Sequence, residues 1–224
     1  MQMFDLHCHS IFSDGELLPS ELVRRVEVMG YDAICITDHA DESNMEFIIT
    51  HIKKLIPELN KHSKTKLLTG IELTHVHPRR IGVLVEKARS LGAQVVVCHG
   101  ETVVEPVIPG TNRAAIEAKV DILAHPGLIS EEDALLAKKM GVYLEVSGRK
   151  GHSLTNGHVV KTAQKVGARL VINSDGHSPS DFMSKDYARV VGLGAGLSDS
   201  EVDEIYNNVW KWINSFFHDL NKKD

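Results

Sequence analysis

Six short apolar runs in this 224-residue chain each close on a residue able to bind a metal: DLHCH, AICITDH, LLTGIE, VVVCHG, DILAHPG and LVINSDGH. Each run is β-like in composition, and His7, His39, Glu72, His99, His125 or Asp175 sits at or just past its carboxyl end. Parallel barrels gather their chemistry at that edge, because the loops leaving it converge on one mouth. Two runs add a second donor at i+2, His7 with His9 and Asp175 with His177. Alternate positions on an extended strand share a face, so each pair can grip one ion.

Helical segments separate these runs. Pro19-Ser20-Glu21 opens one that runs to Gly30. Ser43 with Glu46, Ser130 with Asp133 and Ser198 with Glu201 have capping-box spacing, and Thr155 or Asn156 can cap the segment ending at Gly167. Val202, Ile205, Val209, Trp212, Ile213 and Phe216 form one stripe on the last helix, expected to seal the barrel wall. With VYLEV near residue 144 counted as a strand, about seven β-runs each return through a helix, the pattern of a closed or nearly closed parallel α/β barrel. Residues 100–112, rich in proline and glycine, are expected to form a functional loop over the mouth.

At 42% hydrophobic and 25% charged, the composition fits one large domain spanning residues 1–224. A formal charge of −5 provides no basic field for a long polyanion, which disfavours nucleic acid and leaves small phosphorylated substrates open. Cys8, Cys35 and Cys98 lie inside strand runs, as core thiols in a reducing compartment do, so a cytoplasmic location is expected. No apolar stretch approaches a membrane span, and with a first strand starting at Met3 or Phe4 no signal peptide is expected.

The ordered set of HCH with SDG at 13–15, TDH at 37–39, GIE at 70–72, CHG around His99, AHPG around His125 and SDGH at 174–177 resembles the PHP family, the polymerase and histidinol phosphatase group of metal-dependent phosphoesterases. The resemblance implies a distorted (β/α)7 TIM-like barrel with up to three divalent ions, zinc, manganese or iron, at its mouth. Mapped by motif, His7, His9, Glu72 and Asp175 would hold the first ion. Glu72 would bridge to a second bound by His99 and His125, and Asp14, His39 and His177 would hold a third. Amidohydrolases also use an HxH pair on a first strand, but the Glu72 position and the TDH motif fit that pattern less well.

Clustered divalent ions suit phosphate-ester hydrolysis, since they acidify a bound water and neutralise the phosphoryl oxygens. The expected function is therefore a phosphatase on a small phosphomonoester, histidinol phosphate being a candidate by resemblance only, with a metal-bound hydroxide as nucleophile. The alternatives are a PHP-type phosphodiesterase or exonuclease, and a metal-binding assembly module without catalysis. Asp14, His39 and His177 are candidates for assisting proton transfer, and Arg149 for gripping phosphate, with solvated loop charge as an equal alternative for Arg149. Lys150, His152 and Arg113 are weaker candidates for the same contact. His75 and His77 can serve the substrate or orient a ligand, and Glu145 can orient a ligand or pair with Arg149. His51, His62 and His218 sit in helical runs and read as surface residues. Cys8, between two presumed ligands, is turned to the opposite face by strand alternation.

Overall fold

Every residue of β2 (Ala33–Ile36), β5 (Val95–His99), β6 (Ile122–Ala124) and β7 (Tyr143–Ser147) is buried in the computed structural model, which describes residues 2–220, with side chains through Phe217. Strands covered on both faces need continuous apolar runs, which is why these segments lack a polar alternation. They join β1 (Phe4–Asp5), β4 (Lys66–Leu73) and β8 (Arg169–Asn173) in one parallel sheet of order β1-β2-β4-β5-β6-β7-β8. A two-residue strand β3 (His39–Ala40) pairs with β4 beyond the end of β2, matching His39 to Glu72. Gly70 permits the close approach of β2 and β4, because a Cβ there would meet Cys35 Sγ and Thr37 Cγ2 at 2.5 Å. The seven strands and surrounding helices make the nearly closed barrel that the sequence pattern implies.

Closure between β8 and β1 relies on side chains. Leu6 N–H donates to Asn173 Oδ1 at 3.0 Å and Ser174 N–H to Asp5 Oδ2 at 2.9 Å, before backbone pairing resumes with His9 N–H to the Gly176 carbonyl at 2.8 Å. The final helix α8 (Asp199–Leu220) packs on β8, and its Tyr206 meets Phe4 of β1 at a ring separation of 4.9 Å. Val202, Val209 and Ile213 of its stripe are fully buried. The stripe thus covers the weakest seam of the wall.

Each connection after β3 returns through a helix: α2 (Met45–His62), α3 (Pro78–Leu91), α4 (Thr111–Glu117), α5 (Glu131–Met140) and α6 (Asn156–Val166), while α1 (Pro19–Val28) links β1 to β2 and α7 (Lys185–Gly194) precedes α8. Ser130 caps α5 by accepting from Asp133 N–H, and Ser198 and Glu201 form a reciprocal capping box on α8. Two expected caps are not made. Asn44, not Ser43, occupies the cap position of α2, because Asp41 engages the Ser43 hydroxyl at 2.6 Å. Thr155 stands at the start of α6 without capping it, and the Asn156 amide is taken by both backbone groups of Ser147. No described helix is long and apolar enough to cross a membrane. The three cysteines are buried free thiols.

Candidate metal centre at the carboxyl ends of the strands

All nine sequence-identified donors meet at one end of the barrel. Cys8 turns away from the mouth, donating its thiol to the Cys35 carbonyl, and alternation aims the buried His7 and His9 inward. His7 Nε2 lies 3.2 Å from Glu72 Oε1 and 3.7 Å from Asp175 Oδ1, and His9 Nε2 lies 3.1 Å from Asp175 Oδ1. His125 Nε2 is 3.8 Å from Glu72 Oε1 and 3.6 Å from Asp175 Oδ2, and its ring meets that of His99 at 4.5 Å. His39 contacts Glu72 at 2.5 Å through Nδ1 and Asp14 at 3.5 Å through Nε2, while His177 Nε2 lies 3.3 Å from the same Asp14 oxygen. Donor atoms of His9, Asp14, His39 and His177 all fall within 4.8 Å of one another, as do those of His7, His9 and Asp175.

Several of these atoms are poorly satisfied by the protein alone. His7 Nε2, His9 Nδ1, Glu72 Oε1 and His125 Nδ1 are buried without a hydrogen-bond partner, even though His7 Nε2 and Glu72 Oε1 face each other. A buried polar atom left unpaired costs about 1–3 kcal/mol. Divalent cations among the imidazoles and carboxylates would compensate that cost, and the nitrogen-and-oxygen donor set fits zinc, manganese or iron. The backbone carries a further cost, since His125 and Asp175 adopt φ of +28° and +54°, a region that side chains other than glycine rarely occupy.

The cluster separates charges by position. Glu72 is held well below the usual carboxylate range: burial opposes this, but His7 and His39 beside it prevail. Burial pushes Asp175 well up, and the neighbouring Glu72 and Glu145 add to that. Burial also pushes His9, His99 and His125 down, so they favour neutral rings with a lone pair to offer. At the rim Asp14 is lowered to about 2, where the His177 hydrogen bond and the charges of His39 and His177 outweigh its partial burial.

A cavity of about 270 Å³ opens onto the cluster, lined by Asp14, His39, His99, His125, Asp175 and His177 together with Thr74, His75, Glu105, Arg149 and His152. A larger hollow of about 560 Å³ lies at the opposite end, between Tyr143, Arg169 and Trp212, and contains none of these donors.

A match to the PHP domain family extends over residues 5–156. The chain belongs to that family. An uncharacterized protein of Methanocaldococcus jannaschii is 47% identical over 202 residues, covering 89% of this chain and 93% of the relative. A protein of Thermoanaerobacter named as a probable phosphatase is 26% identical over 221 residues, covering 89% of each. Among solved structures, the histidinol phosphate phosphatase of Lactococcus lactis, complexed with zinc, L-histidinol and phosphate, superposes with a TM-score of 0.63 at 19% identity, covering 88% of this chain and 95% of that one. That likeness shows the PHP barrel fold.

Around the PHP donors lies a supporting set. Glu145, buried on β7, accepts from His7 Nδ1 at 2.8 Å, Asn173 Nδ2 at 2.8 Å and the His125 backbone N–H at 3.0 Å. Asp38 accepts from Ser10 N–H, the Ser10 hydroxyl and the Ser13 hydroxyl at 2.6–2.8 Å, tying the loop that carries Asp14 to the end of β2. Thr74 lies 2.7 Å from His39 Nδ1 and 3.0 Å from Glu72 Oε2. Arg149 lines the cavity, and its Nη1 donates to the Asp175 carbonyl at 3.2 Å. Glu145 is thus turned to His7 and away from any pairing with Arg149.

The weaker sequence candidates divide. Arg113 is not available to a phosphate, because Glu132 and Asp133 engage it at 2.7 and 2.5 Å. Lys150 is exposed and outside the cavity wall. His77 caps α3 by accepting from Arg79 N–H at 3.2 Å, whereas His75 pairs with Glu105 at 3.2 Å on the cavity wall. His51 donates its Nδ1 hydrogen within its own helix to the Phe47 carbonyl, and His62 lies beside Glu58, both as surface residues do. The His218 side chain lies outside the described residues. Sequence reasoning missed Glu105 altogether and read His152 only as a weak candidate for a phosphate contact, whereas it stacks on His125 at 4.0 Å and 15°. Only the proline-rich loop hinted at Glu105.

Proposed function

We propose that this chain is a metal-dependent phosphatase acting on a small phosphomonoester. The observation that carries the reading is the convergence of His7, His9, Asp14, His39, Glu72, His99, His125, Asp175 and His177, with four of their buried atoms unpartnered, on one cavity. His7, His9, Glu72 and Asp175 would hold one ion, Glu72, His99 and His125 a second, and Asp14, His39 and His177 a third. Bound zinc, manganese or iron would supply Lewis acidity to the phosphoryl group and acidify an attacking water.

The chain's own groups do the rest. Arg149, on the cavity wall beside Asp175, offers a guanidinium fork to the phosphoryl oxygens and orients the ester. Asp14, His39 and His177 stand together at the partly exposed rim, 3.3–3.5 Å from one another through Asp14, on the side where a departing alkoxide would need a proton. A cavity of about 270 Å³ suits a small ester better than a polymer, and the −5 net charge of the chain agrees. The name of the Thermoanaerobacter relative and the phosphate in the Lactococcus complex support the reading.

The test is phosphate release from a panel of monoesters, histidinol phosphate and mononucleotides included, alongside diesters. The protein is stripped, its metal counted, then reloaded with zinc, manganese or iron. Monoester turnover that depends on metal is expected, and Glu72→Ala should lose metal and turnover together while remaining folded. Turnover confined to diesters would overturn the monoester reading, and unchanged metal content and turnover in the variant would remove the site.

A further inference from the structure

Glu105, on the loop between β5 and α4, brings one carboxylate within reach of three imidazoles from three different segments. Its Oε2 lies 3.1 Å from His99 Nε2 and 3.2 Å from His75 Nε2, and its Oε1 lies 3.4 Å from His152 Nε2. His99 donates its Nδ1 hydrogen to the Gly100 carbonyl at 3.2 Å, which leaves the lone pair of a neutral ring on Nε2. A lone pair and a carboxylate oxygen then face each other at 3.1 Å. Such a contact is repulsive unless a proton or a cation lies between them.

His152 turns a ring nitrogen to the same carboxylate. Its Nδ1 is engaged by the Thr102 hydroxyl at 2.7 Å, and its Nε2 looks toward Glu105 and, at 3.8 Å, toward Asp175 Oδ2. It is buried, and the nearest donor atoms of His99, His125 and His152 all lie within 4.8 Å of one another. We propose that Glu105 and His152 are additional ligands of the ion held by His99 and His125. With Glu72 counted, three imidazoles and two carboxylates would surround that ion, all of them donor types that zinc takes.

The position of Glu105 is built into the loop. Glu101 Oε1 accepts from the N–H groups of Gly110 and Asn112 at 3.0 and 2.9 Å, closing the loop at its base. That base packs on the AHPG turn so tightly that a Cβ on Gly127, whose φ is +61°, would lie 1.9 Å from the Glu101 carbonyl oxygen. The same turn carries His125, so the loop and this ligand are held together.

This assignment rests on the metal-dependent reading above, and the experiment separates the two. Zinc affinity is measured by competition with a chromophoric chelator on the stripped full chain, for wild type, Glu105→Gln and His152→Gln, with melting of the stripped proteins as a check on folding. X-ray absorption of the zinc-loaded proteins counts nitrogen and oxygen neighbours. Each variant should lose about 10-fold or more in the affinity of one ion and show fewer light neighbours around it. Glu105 is 37% exposed, so its variant is expected to fold even if His152→Gln does not. Wild type that binds zinc while Glu105→Gln binds it equally, with the same neighbour count, would overturn this assignment alone and reduce Glu105 to a partner of His75. Wild type that takes up no zinc, manganese or iron would overturn the phosphatase reading and this assignment together.

Discussion

Replacing Glu145 with glutamine tests whether the deepest part of the centre depends on a residue that binds no ion in the proposed set. Glu145 uses Oε1 to accept from His7 Nδ1 and Asn173 Nδ2, and Oε2 to accept from the His125 N–H. Glutamine has one acceptor oxygen, so its better rotamer keeps the Oε1 pair and turns an NH2 toward the His125 N–H. Two donors then face each other in a buried site, at a cost of about 1–3 kcal/mol. The flipped rotamer loses two bonds and costs more. His125 already holds a φ of +28°, so the stranded N–H lies where the backbone has least slack. Because a neutral amide oxygen supports the His7 Nδ1 hydrogen more weakly than a carboxylate does, the His7 Nε2 that faces Glu72 and Asp175 becomes a poorer donor, and metal affinity should fall about 10–100-fold. That corresponds to about 1.4–2.8 kcal/mol. Urea unfolding of the stripped protein reads the first loss, and zinc competition against a chelator reads the second. A variant destabilised as expected but binding zinc within about threefold of wild type would refute the orienting role, leaving Glu145 as a structural acceptor.

Asp38→Ala should strand the Ser10 N–H and free two serine hydroxyls, releasing the loop that carries Asp14. It is expected to lower bound metal by about one ion, the one assigned to Asp14, His39 and His177, and an unchanged count would contradict that. Burial lowers His152 to about 4, below the 6.5 of an ordinary histidine, so the unfolded chain binds this proton first and the stability it confers is lost as pH falls from about 6.5 toward 4. At pH 5 the loss is about 2 kcal/mol. Stripped His152→Gln should therefore lose that much less than wild type between pH 7 and pH 5 in urea unfolding, and equal losses would show that the ring is not held neutral.

The barrel and the strand-end donors were legible because both follow from local periodicity, while Asp14 and the grouping of donors came from the resemblance to the PHP family. Apolar runs closed by turn signals mark strands, alternation assigns His7 and His9 to one face and Cys8 to the other, and Ser130 and Ser198 announce helix starts that are made. Local signals failed where a neighbour competed for the same group. Ser43 lost its capping role to Asp41, and Arg113, at a helix start where a phosphate contact was conceivable, is taken by two carboxylates some twenty residues on. Its place at a strand end marked Glu145 as a candidate to orient a ligand, but not that the ligand is His7, 138 residues away. Nothing local aims Glu105 at His99, His75 and His152 either, since a loop has no period and its path is set by the Glu101 anchor and the AHPG turn beneath it. By itself, then, the sequence determined which residues end strands and which face each presents, because backbone geometry repeats every two residues. Only the tertiary structure decided which of those ends touch, because contact across the mouth depends on sheet curvature and loop paths that no short segment encodes.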